Sequence, residues 1–446
     1  MNRILLKDAA IATPSRIIRE DLLIEGNLIA KIAPNISCEG ALVIDCHELL
    51  VMPGLIDEHV HFREPGMTQK ATIYSESRAA VLGGVTSYLD MPNNNPPILD
   101  EEGLNLKKAI ASQDSIANYG FYLGAGSDNL EAIKRISPKD YAALKIFMGS
   151  TTGNLLLDDL KTLAKVFVEA QTLICTHCED SNIIFENEKK AASKYGEDIP
   201  FAMHRMIRSE EACIESSKLA IELAKETGAR LHLMHLSTAK EVEILKDYMF
   251  GNCRTRQISG EAVIPHLFFS ESDYERLGGF LKCNPAVKTE RDRRALIQAV
   301  EDGVITTIGT DHAPHEISAK TGNYKHCASG VPSIQYSLLA LLDLWKRREM
   351  SLETIIKATS ENVAARYRIK NRGKIEEGYY ADLAIIDPLK PHTVTSDEIA
   401  SKCGYSPFLH RTFSCSVVHT LVNGNLVVEN GKLVDDSTGF ALEFDR

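Results

Sequence analysis

The chain has 446 residues, 44% of them hydrophobic and 25% charged, with a formal net charge of −11. That length exceeds one ordinary domain and allows a full core, while the negative balance argues against nucleic acid as the main partner. An anionic ligand would need a locally positive pocket.

The amino terminus, Met1-Asn-Arg-Ile-Leu-Leu-Lys-Asp8, lacks a long apolar core before a small-residue cleavage site. No run reaches the roughly 18 apolar residues of a membrane span. These features predict a cytoplasmic protein with no membrane partner. Residues 1 to 50 hold short alternating segments such as Ile17 to Ile24 and Leu28 to Ile32, separated by Gly and Asn, which predict strands of a small sheet.

The next stretch, Val51-Met-Pro-Gly-Leu-Ile-Asp-Glu-His-Val-His-Phe-Arg-Glu-Pro-Gly66, reads as a strand ending in metal- and anion-binding groups. In an extended segment alternate side chains share a face. Asp57, His59, His61 and Arg63 are therefore expected to project together, with Ile56, Val60 and Phe62 packing on the other side. Imidazole is the commonest ligand for zinc-like metals, and a guanidinium offers a planar fork to a carboxylate.

From about residue 54, apolar runs alternate with helical stretches, as expected for βα units around a parallel sheet. After the opening stretch come Val85 to Met91, Tyr119 to Gly124, Ala142 to Met148, Leu173 to His177, Leu231 to His235, Arg256 to Leu267 and Val304 to Thr310. Between them Leu155 to Ala170 and Ser209 to Thr227 carry apolar residues at helical spacing, and Thr289 to Asp302 opens with a capping Thr. Eight alternations closing on one sheet predict a (β/α)8 TIM barrel. Strand patterns return at Ala381 to Asp387 and Ser416 to Val428, where Asn423-Gly424 signals a hairpin. The expected organisation is a barrel over residues 54–373 and a small discontinuous β-sandwich domain from residues 1–53 and 374–446. The ten cysteines include one close pair, Cys175-Thr-His-Cys178, with no second pair to complete a thiolate zinc site, so free thiols are expected.

Barrel enzymes place their chemistry at the C-terminal strand ends. There the chain has Lys145 on strand four, His177 on strand five, His235 on strand six and Asp311-His-Ala-Pro-His315 after strand eight. An ammonium between apolar neighbours tends to lose its proton. Neutral Lys145 could react with CO2 to give a carboxylate able to bridge two metals.

These residues resemble the amidohydrolase superfamily, most closely its dihydroorotases, over nearly the whole chain. His61-Phe-Arg63-Glu-Pro-Gly66, Met91-Pro-Asn93-Asn-Asn-Pro96 and Asp311-His-Ala-Pro-His315 carry the resemblance. It implies two zinc ions per subunit, one on His59 and His61, the other on His177 and His235, bridged by a CO2-derived carboxylate on Lys145. Asp311 would bind the first metal and act as general acid and base to a metal-bridging hydroxide. Arg63, Asn93 and His315 would hold the substrate carboxylate beside His61, with Asn284 and the backbone of Ser329 and Gly330 at the ring.

The implied reaction is reversible hydrolysis of dihydroorotate to N-carbamoyl aspartate, the third step of pyrimidine biosynthesis. An allantoinase or hydantoinase has the same metals and a different pocket. A non-catalytic scaffold would usually have lost metal ligands, and all six stand here. The resemblance also admits a homodimer and association with aspartate transcarbamoylase. Two departures stand out. Many bacterial relatives carry Asp where Lys145 stands, and the family's Gly-Leu-Glu-Thr after strand eight is replaced by Ser333-Ile-Gln-Tyr336. His266, closing strand seven, is expected to be structural, and Glu211 to be solvated at a helix start.

Overall fold

The computed structural model describes residues 3–149, 155–157, 159–250 and 257–446. Eight parallel strands form the barrel: Leu55–Val60, Val85–Asp90, the interrupted pair Asn118–Phe121 and Leu123–Gly124, Leu144–Phe147, Ile174–His177, Leu231–Leu233, Ile258–Val263 and Thr307–Gly309. Each pairs in parallel with its neighbour. The ring closes where Val60 bridges His312, with the His61 amide donating to His312 O at 2.8 Å. The last strand's end is thereby fixed beside the first, which brings Asp311 to the histidines.

The outer helices begin and end where local chemistry dictates. Thr72 caps Ile73–Leu82 in a reciprocal box with Ser75, and Thr289 does the same with Asp292 for Glu290–Glu301. Ser209 caps Glu210–Thr227, which stops at left-handed Gly228. The helix expected from Leu155 starts at Leu160, because the Asp159 side chain caps Thr162 N while Leu156 bridges Phe147. The run expected as a strand from Arg256 to Leu267 is a strand only to Val263. A short helix, Ile264–Phe268, follows with Pro265 in its first turn, and Arg256 lies outside the described residues. The eighth strand begins at Thr307, since the Val304 and Ile305 amides bond Ala299 O and close the preceding helix.

Strands from both chain ends share one nine-stranded sheet: Arg3–Ala12, Ile17–Glu25, Leu28–Ala33, Leu42–Asp45 and Leu50–Pro53 join Leu383–Asp387, Ser416–Val422, Asn425–Glu429 and Lys432–Leu433. Its core includes Ile4, Leu6, Ala9 and Ile11. The parity change between Leu6 and Ala9 is made by a bulge, with Asp8 at φ 52°. Asn423 and Gly424 both take positive φ, the two-residue hairpin turn their sequence demands. Among the described residues no helix is long and apolar enough to cross a membrane.

Candidate active site

A cavity of about 390 Å³ opens at the C-terminal strand ends. His59, His61, Arg63, Asn93, Lys145, His177, His235, Asn284, Asp311, His315, Ser329 and Gly330 all line it, so every residue singled out for the site meets there. Asp57 does not line it. One residue between Tyr88 and Asp90 faces two between Asp57 and Val60, and this bulge breaks the alternation on which the shared face depended. Asp57 instead accepts from Thr310 Oγ1 at 2.5 Å, Thr310 N at 3.1 Å and His59 N at 3.1 Å, and burial pushes its carboxyl up to about 7.

His59, His61 and Asp311 form a three-ligand cluster whose donor atoms all lie within 4.8 Å of one another. Asp311 Oδ1 is 3.3 Å from His59 Nε2 and 3.0 Å from His61 Nε2. Beside it His177 Nδ1 faces His235 Nε2 at 2.8 Å, and the His59 and His235 ring centroids are 5.3 Å apart. Burial holds the rings of His59, His61 and His235 below the usual imidazole range, leaving them neutral. Burial would raise the Asp311 carboxyl, but His59, His61 and Lys145 outweigh it and hold the group well below the usual carboxylate range. Neutral imidazoles with an ionised carboxylate are the donor set of a zinc-like cation, so the residues present fit such an ion.

The outward ring nitrogens are tied down. His59 Nδ1 lies 2.9 Å from Glu261 Oε2, which also accepts from His235 N at 2.9 Å. His61 Nδ1 lies 2.7 Å from Asn93 Oδ1, and His177 Nε2 lies 3.0 Å from Glu179 Oε2. The hydrogen-bonded partners of His59 and His61 fix the tautomer and leave the other ring nitrogen for the cavity. Glu261 and Glu179 escaped the sequence reading, although a charged residue inside the apolar run Ile258-Ser-Gly-Glu-Ala-Val263 was a usable signal.

Lys145 is 0% exposed, and burial lowers its amine below the usual lysine value. Among the described residues its one hydrogen-bond partner is the sulfur of Met234 at 3.1 Å, a weak acceptor. Cys175 and Cys178 are both free thiols, pushed up by burial to about 12 and about 11, which leaves them protonated and unreactive.

The opposite wall is cationic. Arg63, at φ 69°, turns away from the strand line, and its Nε donates to Pro314 O at 3.1 Å. It is 6% exposed and has no carboxylate partner among the described residues. His315 Nε2 lies 3.0 Å from Ser329 O, which places the ring proton on that nitrogen. Arg63 Nη2, 3.2 Å from the same nitrogen, therefore keeps its N–H groups for a ligand. Burial, with Arg63, Lys70 and Lys320 nearby, depresses His315 to about 2, so the ring is a neutral donor and not a second charge. Gly330 N is already engaged by Lys282 O at 2.8 Å, and its carbonyl by Lys320 Nζ at 2.8 Å. Asn284 Oδ1 is buried without a hydrogen-bond partner among the described residues.

Met67, Lys70 and Arg208 also line the cavity and were not foreseen. Arg208 is tied to Glu179, behind His177. His266 sits in the short helix, its Nε2 2.9 Å from Pro285 O, outside the cavity lining. Glu211 is exposed in the first turn of its helix.

The model of the amidohydrolase family matches residues 50–427. A dihydroorotase of Methanosphaera stadtmanae is 32% identical over 413 residues, 92% of this chain and 93% of that protein. An allantoinase of Desulfitobacterium hafniense is 28% identical over 444 residues, 98% and 97% of the two chains. The solved structure of an L-hydantoinase (dihydropyrimidinase) from Arthrobacter aurescens superposes with a TM-score of 0.93 at 25% identity, covering 99% of this chain and 100% of that one. The chain belongs to the amidohydrolase family.

Proposed function

We propose that this amidohydrolase opens and closes a cyclic amide bearing a carboxylate, and that its substrate pair is dihydroorotate and N-carbamoyl aspartate. One observation carries the reading: Arg63 is a buried guanidinium without a carboxylate partner among the described residues, in the cavity that also holds the His59–His61–Asp311 cluster. A desolvated cation in such a place calls for an anionic ligand.

His59, His61 and Asp311 would hold one divalent ion, His177 and His235 a second, with Lys145 carboxylated between them. Ions there would supply Lewis-acid polarisation of the ring carbonyl and a more acidic water. Arg63 would take the substrate carboxylate in a forked pair, helped by the Asn93 amide N–H and neutral His315. Asn284 Oδ1, an acceptor without a partner among the described residues, suits a ring N–H. As water adds to the carbonyl and the C–N bond breaks, Asp311 accepts the water's proton and returns it to the leaving amide nitrogen. A positioned proton carrier of this kind is worth about 10² to 10⁴ in rate.

The test is ring opening of dihydroorotate, allantoin and hydantoin by the purified protein, with metal content measured on the same sample. Preference for dihydroorotate supports the reading. Preference for allantoin or hydantoin would assign the protein to the neutral-ring enzymes.

A further inference from the structure

We infer that Lys320 is a tethered internal cation around which the Ala328–Gly330 wall of the cavity is folded, and that its charge favours an anionic ring at that wall. The second half rests on the substrate reading above; the first does not.

Lys320 is 1% exposed, yet it lies outside the cavity lining, one layer behind it. Its Nζ donates to Ala328 O at 2.7 Å, Gly330 O at 2.8 Å and Lys282 O at 3.1 Å. Three carbonyls thus satisfy the three N–H bonds of one ammonium. The acceptors belong to two separate segments, and further bonds close the ring. Gly330 N donates to Lys282 O, and Ala328 N to Ala319 O, each at 2.8 Å. Lys282 repeats the device, its Nζ reaching Tyr324 O and Cys327 O, both at 2.7 Å.

Neither lysine forms an ion pair with a carboxylate among the described residues. Burying an ammonium is costly, and an apolar side chain would fill the space without that cost. What the ammonium adds is inward-turned carbonyls and an unneutralised charge. Both reach the site. Ser329, between two of the caged carbonyls, receives His315 Nε2 at 3.0 Å, and Lys320 joins Arg63 and Lys70 among the cations acting on that ring. Gly330, at φ 149°, has no room for a side chain, since a Cβ would come within 2.4 Å of Ala313 O. Lys320, bonded to the carbonyls on either side of Ser329, is a positioning residue for this wall.

The experiment compares zinc-loaded wild type with Lys320→Ala and Lys320→Met. Hydrogen exchange of peptides spanning residues 321–333 is followed first. Both variants should exchange at least about tenfold faster there. In Lys320→Ala, propylammonium should reverse the change, while propanol, similar in size and uncharged, should not. If the alanine variant fails to fold, the methionine variant keeps the stem and decides the point. Unchanged exchange, or equal rescue by propanol, overturns the tethered-cation role.

Kinetics form the second arm. KM for dihydroorotate should rise at least about tenfold in Lys320→Met with kcat within about threefold, while KM for neutral dihydrouracil hardly moves. Equal rises for both rings overturn the charge role. If the wild type opens no dihydroorotate, the substrate reading and the charge role fall, and the exchange arm still decides whether Lys320 holds the wall.

Discussion

His61 Nδ1 and Asn93 Oδ1 lie 2.7 Å apart, and this contact decides what each side chain offers the cavity. With Nδ1–H donating to the amide oxygen, His61 turns an unprotonated Nε2 toward Asp311, and the Asn93 NH2 is left for a ligand. The loop carrying Asn93 is itself anchored. Buried Lys107 donates to Met91 O at 2.7 Å and Asn94 Oδ1 at 2.8 Å and pairs with Asp90 at 2.7 Å.

Asn93→Asp separates the two duties. The new carboxylate still accepts from His61, so bound metal should be unchanged, but it replaces a donor facing the substrate carboxylate by a negative oxygen. KM for dihydroorotate should rise at least about tenfold, since a charge-assisted hydrogen bond is worth about 1.5 to 3 kcal/mol. Metal analysis and steady-state kinetics on one preparation check this. Loss of metal would show that Asn93 acts mainly through His61.

Lys145→Ala removes the group proposed to bridge the ions. Metal stoichiometry and activity should fall together, and a short carboxylic acid with added metal should partly restore turnover. A variant with two metals and normal rate would exclude the carboxylated lysine.

Glu179 gives a pH dependence with a definite sign. Burial would raise its carboxyl, but Arg208 and His177 outweigh burial and hold it at about 2, against an ordinary 4.5. As pH falls the unfolded chain takes up this proton first. The stabilisation is therefore fully present above about pH 4.5 and is lost as pH falls through about 2. Breaking a buried pair costs about 3 to 5 kcal/mol, so metal-free Glu179→Gln should melt well below wild type at pH 7. The gap should narrow steadily between the two values in thermal scans. A gap independent of pH would mean that Glu179 contributes packing and not charge.

That these side chains would meet was legible because histidine, lysine and aspartate stand at the ends of strands one, four, five, six and eight, and a closed barrel brings those ends together whatever the strand lengths. Asp57 was misplaced because a bulge is invisible to a period-two pattern: one extra residue between Asp57 and Val60 shifts every face beyond it. Glu179 stands two residues from its neighbour His177 and that spacing was open to reading, whereas Glu261 was missed because its partner His59 is 202 residues away. No local spacing announces such a contact. His315 was read as one of the residues holding the substrate carboxylate, and burial with three neighbouring cations keeps its ring neutral. Its role is visible only once Arg63, Lys70 and Lys320 are placed around it.

The central claim is that Arg63 selects a charged ring. The measurement that tests it most directly is the ratio of kcat/KM for dihydroorotate to that for dihydrouracil, in wild type and in Arg63→Met. Methionine keeps an apolar stem and deletes the guanidinium, and Arg63 lies beyond the metal-ligand cluster, so bound metal should stay constant. The ratio should fall at least about tenfold, with dihydrouracil turnover little changed. Equal losses on both rings, or loss of the metals, would contradict the account and make Arg63 a structural residue.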